Sequence, residues 1–393
     1  MSDTTTKSDL ATTLDAILAE AVNSGQVPGV VAAAADAHGV IYEGGFGVRT
    51  LGQDTPMTAD TVVWIASMTK AVTAAAAMQL VESGALSLEA PIGELLPALA
   101  DPQVLEGFEE DGTPRLRPAA GPITLRHLLT HTSGFAYNMW NADCGRYEEH
   151  VGSPGIISCQ NAALELPLMT DPGTRWEYGI GIDWAGKAVE AASGVRLDRY
   201  LQDHFFTPLQ MLDTGFALSA EHQARQAGVH ARTPDGLAPI EFGLPPEPEF
   251  HMGGGGLLST AGDYLRFLRM ILGQGSLDGV KVLEPATVAL MSQNHIGELN
   301  MEAMTSVLPA FTNDVDLFPG ITKKWGLSFM INETDAPTGR KAGSLAWAGL
   351  ANSYYWVDPT SGVAGVLATQ ILPFADEAVL ELLTKFETAV YAR

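Results

Sequence analysis

Residues Ala71-Val-Thr-Ala-Ala-Ala-Ala-Met-Gln-Leu80 restrict the fold of this chain more than any other stretch. Alanine and leucine are strong helix formers, and Ser83-Gly84 supplies a stop, so the spacing predicts a helix over 67–83. That helix is apolar on all sides for about three turns. A helix without a polar face cannot lie on a surface and has to be wrapped by other elements. With 393 residues, 46% of them hydrophobic, the chain carries enough apolar material for the large core this requires.

The head of this helix carries the chemistry. Ser67-Met-Thr-Lys70 follows an extended, turn-rich lead, Thr61-Val-Val-Trp-Ile-Ala66. Ser67 then falls in the first turn, where backbone N–H groups lack helical partners and the dipole end is positive. Lys70, three residues on, projects from the same face. Burial disfavours a charged lysine, and a neutral amine can take the proton of a serine. A lone Ser-x-x-Lys arises by chance about once in a chain of this size, and its ordinary meaning is a solvated lysine near an N-cap serine. The buried helix behind it argues against that meaning. A hydroxyl, an amine and free N–H donors in one place are the parts of a serine acylation site.

Charge narrows the partners. The 22 Lys and Arg against 46 Asp and Glu give a net charge of −24, which repels nucleic-acid phosphates and anionic lipid and favours neutral or cationic small molecules. No apolar run reaches membrane-spanning length, and Met1–Leu10 has no apolar signal core, so a cytoplasmic protein is expected, monomer or homodimer. Cys144 and Cys159 are read as a reduced pair.

Helical periodicity marks 9–24, 123–131, 183–193, 196–204, 262–273 (entered by a capping box at Thr260 and Asp263) and an amphipathic 376–391. Strand patterns mark 29–36 and 40–43 as a hairpin, then 326–332, 345–348, 353–357 and 362–369. Strands thus lie at both ends with helices between. The expected fold is α+β: a mainly antiparallel sheet built from both termini (1–95 and 255–393), flanked by the N- and C-terminal helices, with a mainly helical lobe, 96–254, inserted. A cleft between the two is the default place for a site.

Two further segments fit such a site. Asp171-Pro-Gly-Thr-Arg-Trp-Glu-Tyr178 is a turn-rich loop presenting Tyr178 before a helix capped by Asp183. A phenol near an ammonium ionises more readily and can move a proton, although a loop tyrosine is more often a packed aromatic. Gly343-Ser-Leu-Ala-Trp-Ala-Gly-Leu350 is a strand whose small residues allow close approach and whose N–H groups can face an oxyanion; an ordinary core strand reads the same way. Phe135, Tyr137, Trp140 and Tyr147 lie in an aromatic, loop-like region, 134–160, that can roof an acyl pocket. His127 and His131, at i and i+4, lack the glutamate of a zinc-protease motif, Gly253–Gly256 lacks the Lys-Ser/Thr of a phosphate loop, and no Gly-x-Ser-x-Gly elbow occurs. No metal or cofactor is called for.

In order along the chain stand Ser67-Met-Thr-Lys70, His127-Leu-Leu-Thr-His-Thr-Ser-Gly134, Pro172-Gly-Thr-Arg-Trp-Glu-Tyr178, Phe206-Thr-Pro-Leu-Gln-Met211, Gly253-Gly-Gly-Gly-Leu-Leu-Ser-Thr260 and Trp347-Ala-Gly349. The series resembles the serine β-lactamase-related superfamily of class C enzymes and DD-peptidases, and within it the family VIII bacterial carboxylesterases. The resemblance implies Ser67 as nucleophile, Lys70 as its base partner, Tyr178 as proton relay, the N–H groups of Ser67 and Leu350 as oxyanion hole, and Trp347, Ala348 and Gly349 as the wall, with Phe135 and Tyr137 near the substrate. Two departures from the β-lactamase pattern matter. Tyr178-Gly-Ile180 lacks the asparagine of Tyr-x-Asn, and Trp347 stands where a Lys or His would bind a β-lactam carboxylate. Both favour esters. The leading expectation is therefore a carboxylesterase acting on short-chain or aryl esters through an acyl-enzyme. A β-lactam or D-amino-acid amide hydrolase, an acyltransferase, and an acyl-binding protein on a disabled hydrolase fold are the alternatives.

Overall fold

The computed structural model describes residues 3–217 and 219–393. Met1 and Ser2, at the start of the segment read for a signal core, lie outside the described residues. The elements that position the site are, in chain order, α1 (Asp3–Asn23), β1 (Gly29–Asp36), β2 (Gly39–Gly47), α2 (Thr69–Glu82), α3 (Gly181–Ser193), α4 (Ala261–Leu272), β3 (Lys323–Trp325), β4 (Met330–Asn332), β5 (Leu345–Gly349), β6 (Ser353–Asp358), β7 (Val363–Ala368) and α5 (Glu377–Tyr391). The seven strands form one antiparallel sheet in the order β3-β4-β5-β6-β7-β1-β2. Both chain ends therefore meet within one sheet, with Val31 opposite Ala368. The architecture is the α+β fold expected from the strand–helix–strand distribution.

Alternation along β6 shows how the sheet is covered. Tyr355 packs on Tyr264 of α4, with ring centroids 5.3 Å apart, while its neighbour Trp356 faces Phe386 of α5 at 6.2 Å. Successive side chains point to opposite faces, so α4 covers one face and α1 and α5 the other. Trp347 is paired with Tyr355 across β5 and β6 and so shares the α4 face. Gly365 lies where a Cβ would come 2.2 Å from the Trp356 ring, so the glycine makes room for that indole. Helix α2 is buried along nearly its whole length, against α3 among others, as its all-apolar surface demands. No helix among the described residues is long and apolar enough to cross a membrane.

Several expectations are corrected. The strand expected over 326–332 shortens to Met330–Asn332, with Lys323–Trp325 a separate strand before it, because Gly326 presses against the Met291 carbonyl and Ser328, at φ +73°, turns its N–H to the carbonyl of Leu129. The helix expected over 123–131 shrinks to Leu125–Leu129: Thr124 and His127 form a reciprocal capping box, and His131 leaves the helix at φ +56°. The 134–160 region contains a helix, Ala142–Val151, opened by Asn141 and closed by Gly152. Asp183 does not cap α3. Ile180 stands at the cap, and Asp183 lies one turn inside, completely buried. Cys144 and Cys159 are both free and buried.

Candidate active site

Ser67 is held between two clamps. Upstream, Val63 and Trp64 pair with Ser259 and Leu258, and the Ile65 N–H donates to the Leu257 carbonyl at 3.1 Å. Downstream, the Met68 carbonyl accepts from the Tyr264 hydroxyl at 2.8 Å. Between them the chain makes one 3-10 turn, Ala66–Met68, that runs into α2. Ala66 adopts φ +44°, a left-handed conformation that costs an L-residue about 1–2 kcal/mol and that the clamps sustain.

Lys70 is 1% exposed, and its side-chain nitrogen is committed to three partners. It donates to Ser67 Oγ at 3.0 Å, to the Tyr137 hydroxyl at 3.1 Å and to the Gly254 carbonyl at 2.6 Å. It also lies 4.8 Å from the Tyr178 ring centroid and 5.1 Å from that of Tyr137. Tyr137, expected only as a substrate contact, is thus the phenol bonded to the lysine. Burial, aided by Asp183 and Tyr178, raises the Tyr137 pKa well above the ordinary range, so it stands there as a neutral hydroxyl. The Tyr178 hydroxyl accepts from the Trp347 indole N–H at 2.9 Å. Its ring is boxed by His131, Trp347, Tyr137 and Trp140, with centroids 4.6 to 5.4 Å away.

Sequence reasoning took Asp183 for a helix cap and missed its place in the site. One of its carboxylate oxygens accepts from the Gly254 N–H at 2.8 Å, and the other has no partner. The carbonyl of the same Gly254 holds Lys70, so the Asp183 carboxylate and the Lys70 nitrogen are joined through a single residue. Thr73 pins the preceding carbonyl, Gly253 O, at 2.8 Å. Gly254 has to be glycine here, since a Cβ would lie 2.5 Å from Asp183 Oδ2. Burial pushes the Asp183 pKa up to about 6, against the opposing pull of Lys70 and the Gly254 N–H. The available signal was an acid one turn inside the otherwise apolar start of α3.

Strand β5 closes the other side. A Cβ on Gly349 would lie 2.3 Å from the Ile65 carbonyl and 3.3 Å from the Ala66 Cβ, so the end of β5 is seated directly on the turn that carries Ser67. Trp347, Ala348 and Leu350 line a narrow cleft together with Ser67, Tyr137 and Tyr178. Trp64, Met139, Trp140, Ile156, Ile157, Met252 and Phe374 add further apolar wall. Among its lining residues there is no Lys or Arg, Lys70 lying just beneath. Phe135 is not among them. Gly179 abuts its backbone so closely that a Cβ would meet Phe135 O at 2.2 Å, and its ring turns away to stack on Trp184 of α3. The expectation that Phe135 roofs the pocket is corrected on this ground. His127 is spent in its capping box. The His131 Nδ1 accepts from the Gly179 N–H at 3.5 Å, beside Tyr178.

The arrangement can activate a serine, receive its proton, and enclose an uncharged acyl group. Comparison with known proteins points the same way. The family model described as beta-lactamase matches residues 14–389. Monacolin J acid methylbutanoyltransferase of Aspergillus terreus is 34% identical, over 100% of this chain and 98% of the relative. Lovastatin esterase of Penicillium rubens is 32% identical, over 97% of this chain and 98% of the relative. The solved structure of unliganded simvastatin synthase from Aspergillus terreus superposes with a TM-score of 0.86 at 34% identity, covering 98% of each chain.

Proposed function

Since the chain belongs to the beta-lactamase family and is an enzyme of the serine-hydrolase type, we propose that it transfers acyl groups from esters, by way of an acyl-enzyme at Ser67, to an alcohol or to water. The observation that carries this reading is the Ser67–Lys70 pair on the floor of an apolar cleft whose wall bears Trp347 where a carboxylate-binding cation would otherwise stand. An indole accepts a neutral or apolar group beside it.

In the first half-reaction the Ser67 oxygen attacks the ester carbonyl while its proton passes to the Lys70 amine. The oxyanion is held by the N–H groups of Ser67 and Leu350, which the contact between Gly349 and Ile65 keeps together. The ester C–O bond then breaks, and the leaving alkoxide takes a proton from the Tyr178 hydroxyl, which is replenished from Lys70. The second half-reaction runs these steps backwards, with an incoming alcohol or water in place of the departed alcohol. Tyr137 and Gly254 hold the lysine in line throughout.

The relatives named for methylbutanoyl transfer and for lovastatin ester hydrolysis support acyl transfer at least as well as the plain esterase expected from sequence. The test is hydrolysis of p-nitrophenyl butyrate with and without an added alcohol. Wild type should release p-nitrophenol and divide the butyryl group between acid and new ester, and Ser67→Ala should lose at least about a thousandfold in rate. Full turnover by Ser67→Ala would overturn the reading, and butyric acid as sole product across a panel of alcohols would reduce it to hydrolysis.

A further inference from the structure

One surface feature lies outside the machinery described so far. Val307-Leu-Pro-Ala-Phe311 is a run of five consecutive apolar residues, every one exposed: Val307 by 38%, Leu308 by 37% and Phe311 by 40%. Such a run is costly on a soluble surface unless something covers it. It is not a loose strand of chain. Met304 and Val315 pair across the base of the loop, the Ser306 N–H donates to Asp314 at 2.8 Å, and the Ser306 hydroxyl donates to the Thr312 carbonyl at 2.6 Å.

The loop is also tied to the cleft at two points. The Val307 N–H donates to the Met139 carbonyl at 2.9 Å, and the Phe374 N–H donates to the Phe311 carbonyl at 2.8 Å. Met139 and Phe374 both line the cleft above Ser67. The exposed run is therefore anchored beside two residues of the cleft's apolar wall. Glu302, Asp314 and Asp316 flank it, an arrangement that disfavours anionic lipid and phosphorylated ligands and fits an uncharged one.

We propose that Val307, Leu308 and Phe311 form a rim subsite for the alcohol part of the substrate, selecting bulky, uncharged alicyclic or aryl alcohols that project beyond the cleft, whether as leaving group or as acceptor. The proposal rests on the acyl-transfer reading of Ser67 for its chemistry, but not for its binding. Contact with an alicyclic ring of this size is worth roughly a tenfold or greater preference.

The experiment compares ethyl butyrate with 2-cyclohexylethyl butyrate, whose alcohols are of similar acidity and differ in bulk. In the Leu308→Ser/Phe311→Ser protein the ratio of kcat/KM for the large ester to that for the small one should fall roughly tenfold. An unchanged ratio overturns the proposal. Binding of 2-cyclohexylethyl butyrate to Ser67→Ala protein, followed by tryptophan fluorescence, reads the rim without catalysis and should weaken by a similar factor when the two rim substitutions are added. If Ser67→Ala kept its turnover, the nucleophile assignment would fail while this binding comparison still decided the rim. Cosedimentation of wild type with phosphatidylcholine vesicles, lost in the rim variant, would overturn the proposal by assigning the run to a lipid surface.

Discussion

Asp183 is a carboxylate with no countercharge in contact, buried where it accepts one backbone N–H and faces Lys70 across Gly254. Burial raises its pKa from the usual carboxylate range to about 6, so the folded protein binds a proton that the unfolded chain releases between roughly pH 4 and 6. The stability this site contributes is full below pH 4 and is lost as pH climbs through 6. Asp183→Asn keeps an acceptor for Gly254 and cannot ionise. Its stability relative to wild type should therefore improve between pH 5 and pH 8, by about 1.4 kcal/mol, in urea unfolding at each pH. Asp183→Ala removes the acceptor and frees the carbonyl that holds Lys70; a fall in kcat of about tenfold to a hundredfold is expected, with Asp183→Asn well above it. Wild-type kcat in Asp183→Ala would show that this side chain does not position the lysine. The closeness of Ser67 and Lys70 was legible because their spacing of three on one helix start carries it. Asp183 was not, because an aspartate near a helix start reads as a cap, and only the fold reveals that its partner lies 71 residues away.

At the scale of elements, the site is a contact between the end of one strand and the start of one helix. Strand β5 reaches the Ser67 turn only because Gly349 has no side chain. Gly349→Ala places a Cβ 2.3 Å from a backbone carbonyl that cannot swing aside. The strand end has to retreat, at a stability loss of about 1–3 kcal/mol. More telling is the expected effect on rate, since separating the Leu350 N–H from the Ser67 N–H should lower kcat about a hundredfold or more while KM changes little. A variant that binds ester more weakly but turns it over at full speed would contradict this use of the strand. Sequence identified β5 by its pattern of small residues, and α2 by its lack of a polar face. It did not identify the break between β3 and β4, since Gly326 and Ser328 answer to contacts with Met291 and Leu129 that no local pattern records.

At the scale of the molecule, the pairing of β1 with β7 joins the two ends of the chain in one sheet. Within the C-terminal part, Arg340 meets Glu387 of α5 in an ion pair whose side chains are 3% and 1% exposed. The Arg340 guanidinium also lies over the rings of Phe318 and Trp356, 4.8 and 5.6 Å from their centroids. Glu387→Ala leaves a buried guanidinium without its carboxylate and should cost about 3–5 kcal/mol in chemical denaturation. Arg340→Met/Glu387→Leu replaces both charges with apolar volume and should cost less than the single change. A double variant less stable than the single one would mean that the pair contributes more than its desolvation removes.

What the sequence determined by itself was everything that follows from short-range pattern: a buried helix behind Ser67 and Lys70, strands at both ends around a helical middle, and an uncharged residue at Trp347. These are set by side-chain chemistry and by periods of two and 3.6 residues, which are local properties. Tertiary structure decided which groups meet. It gave Lys70 the hydroxyl of Tyr137 and the carbonyl of Gly254, turned Phe135 away from the cleft, set Asp183 beneath the glycine turn, and tied an exposed apolar run to the cleft wall. Each of these depends on packing between segments tens to hundreds of residues apart, where steric fit and the satisfaction of buried polar groups choose the partners.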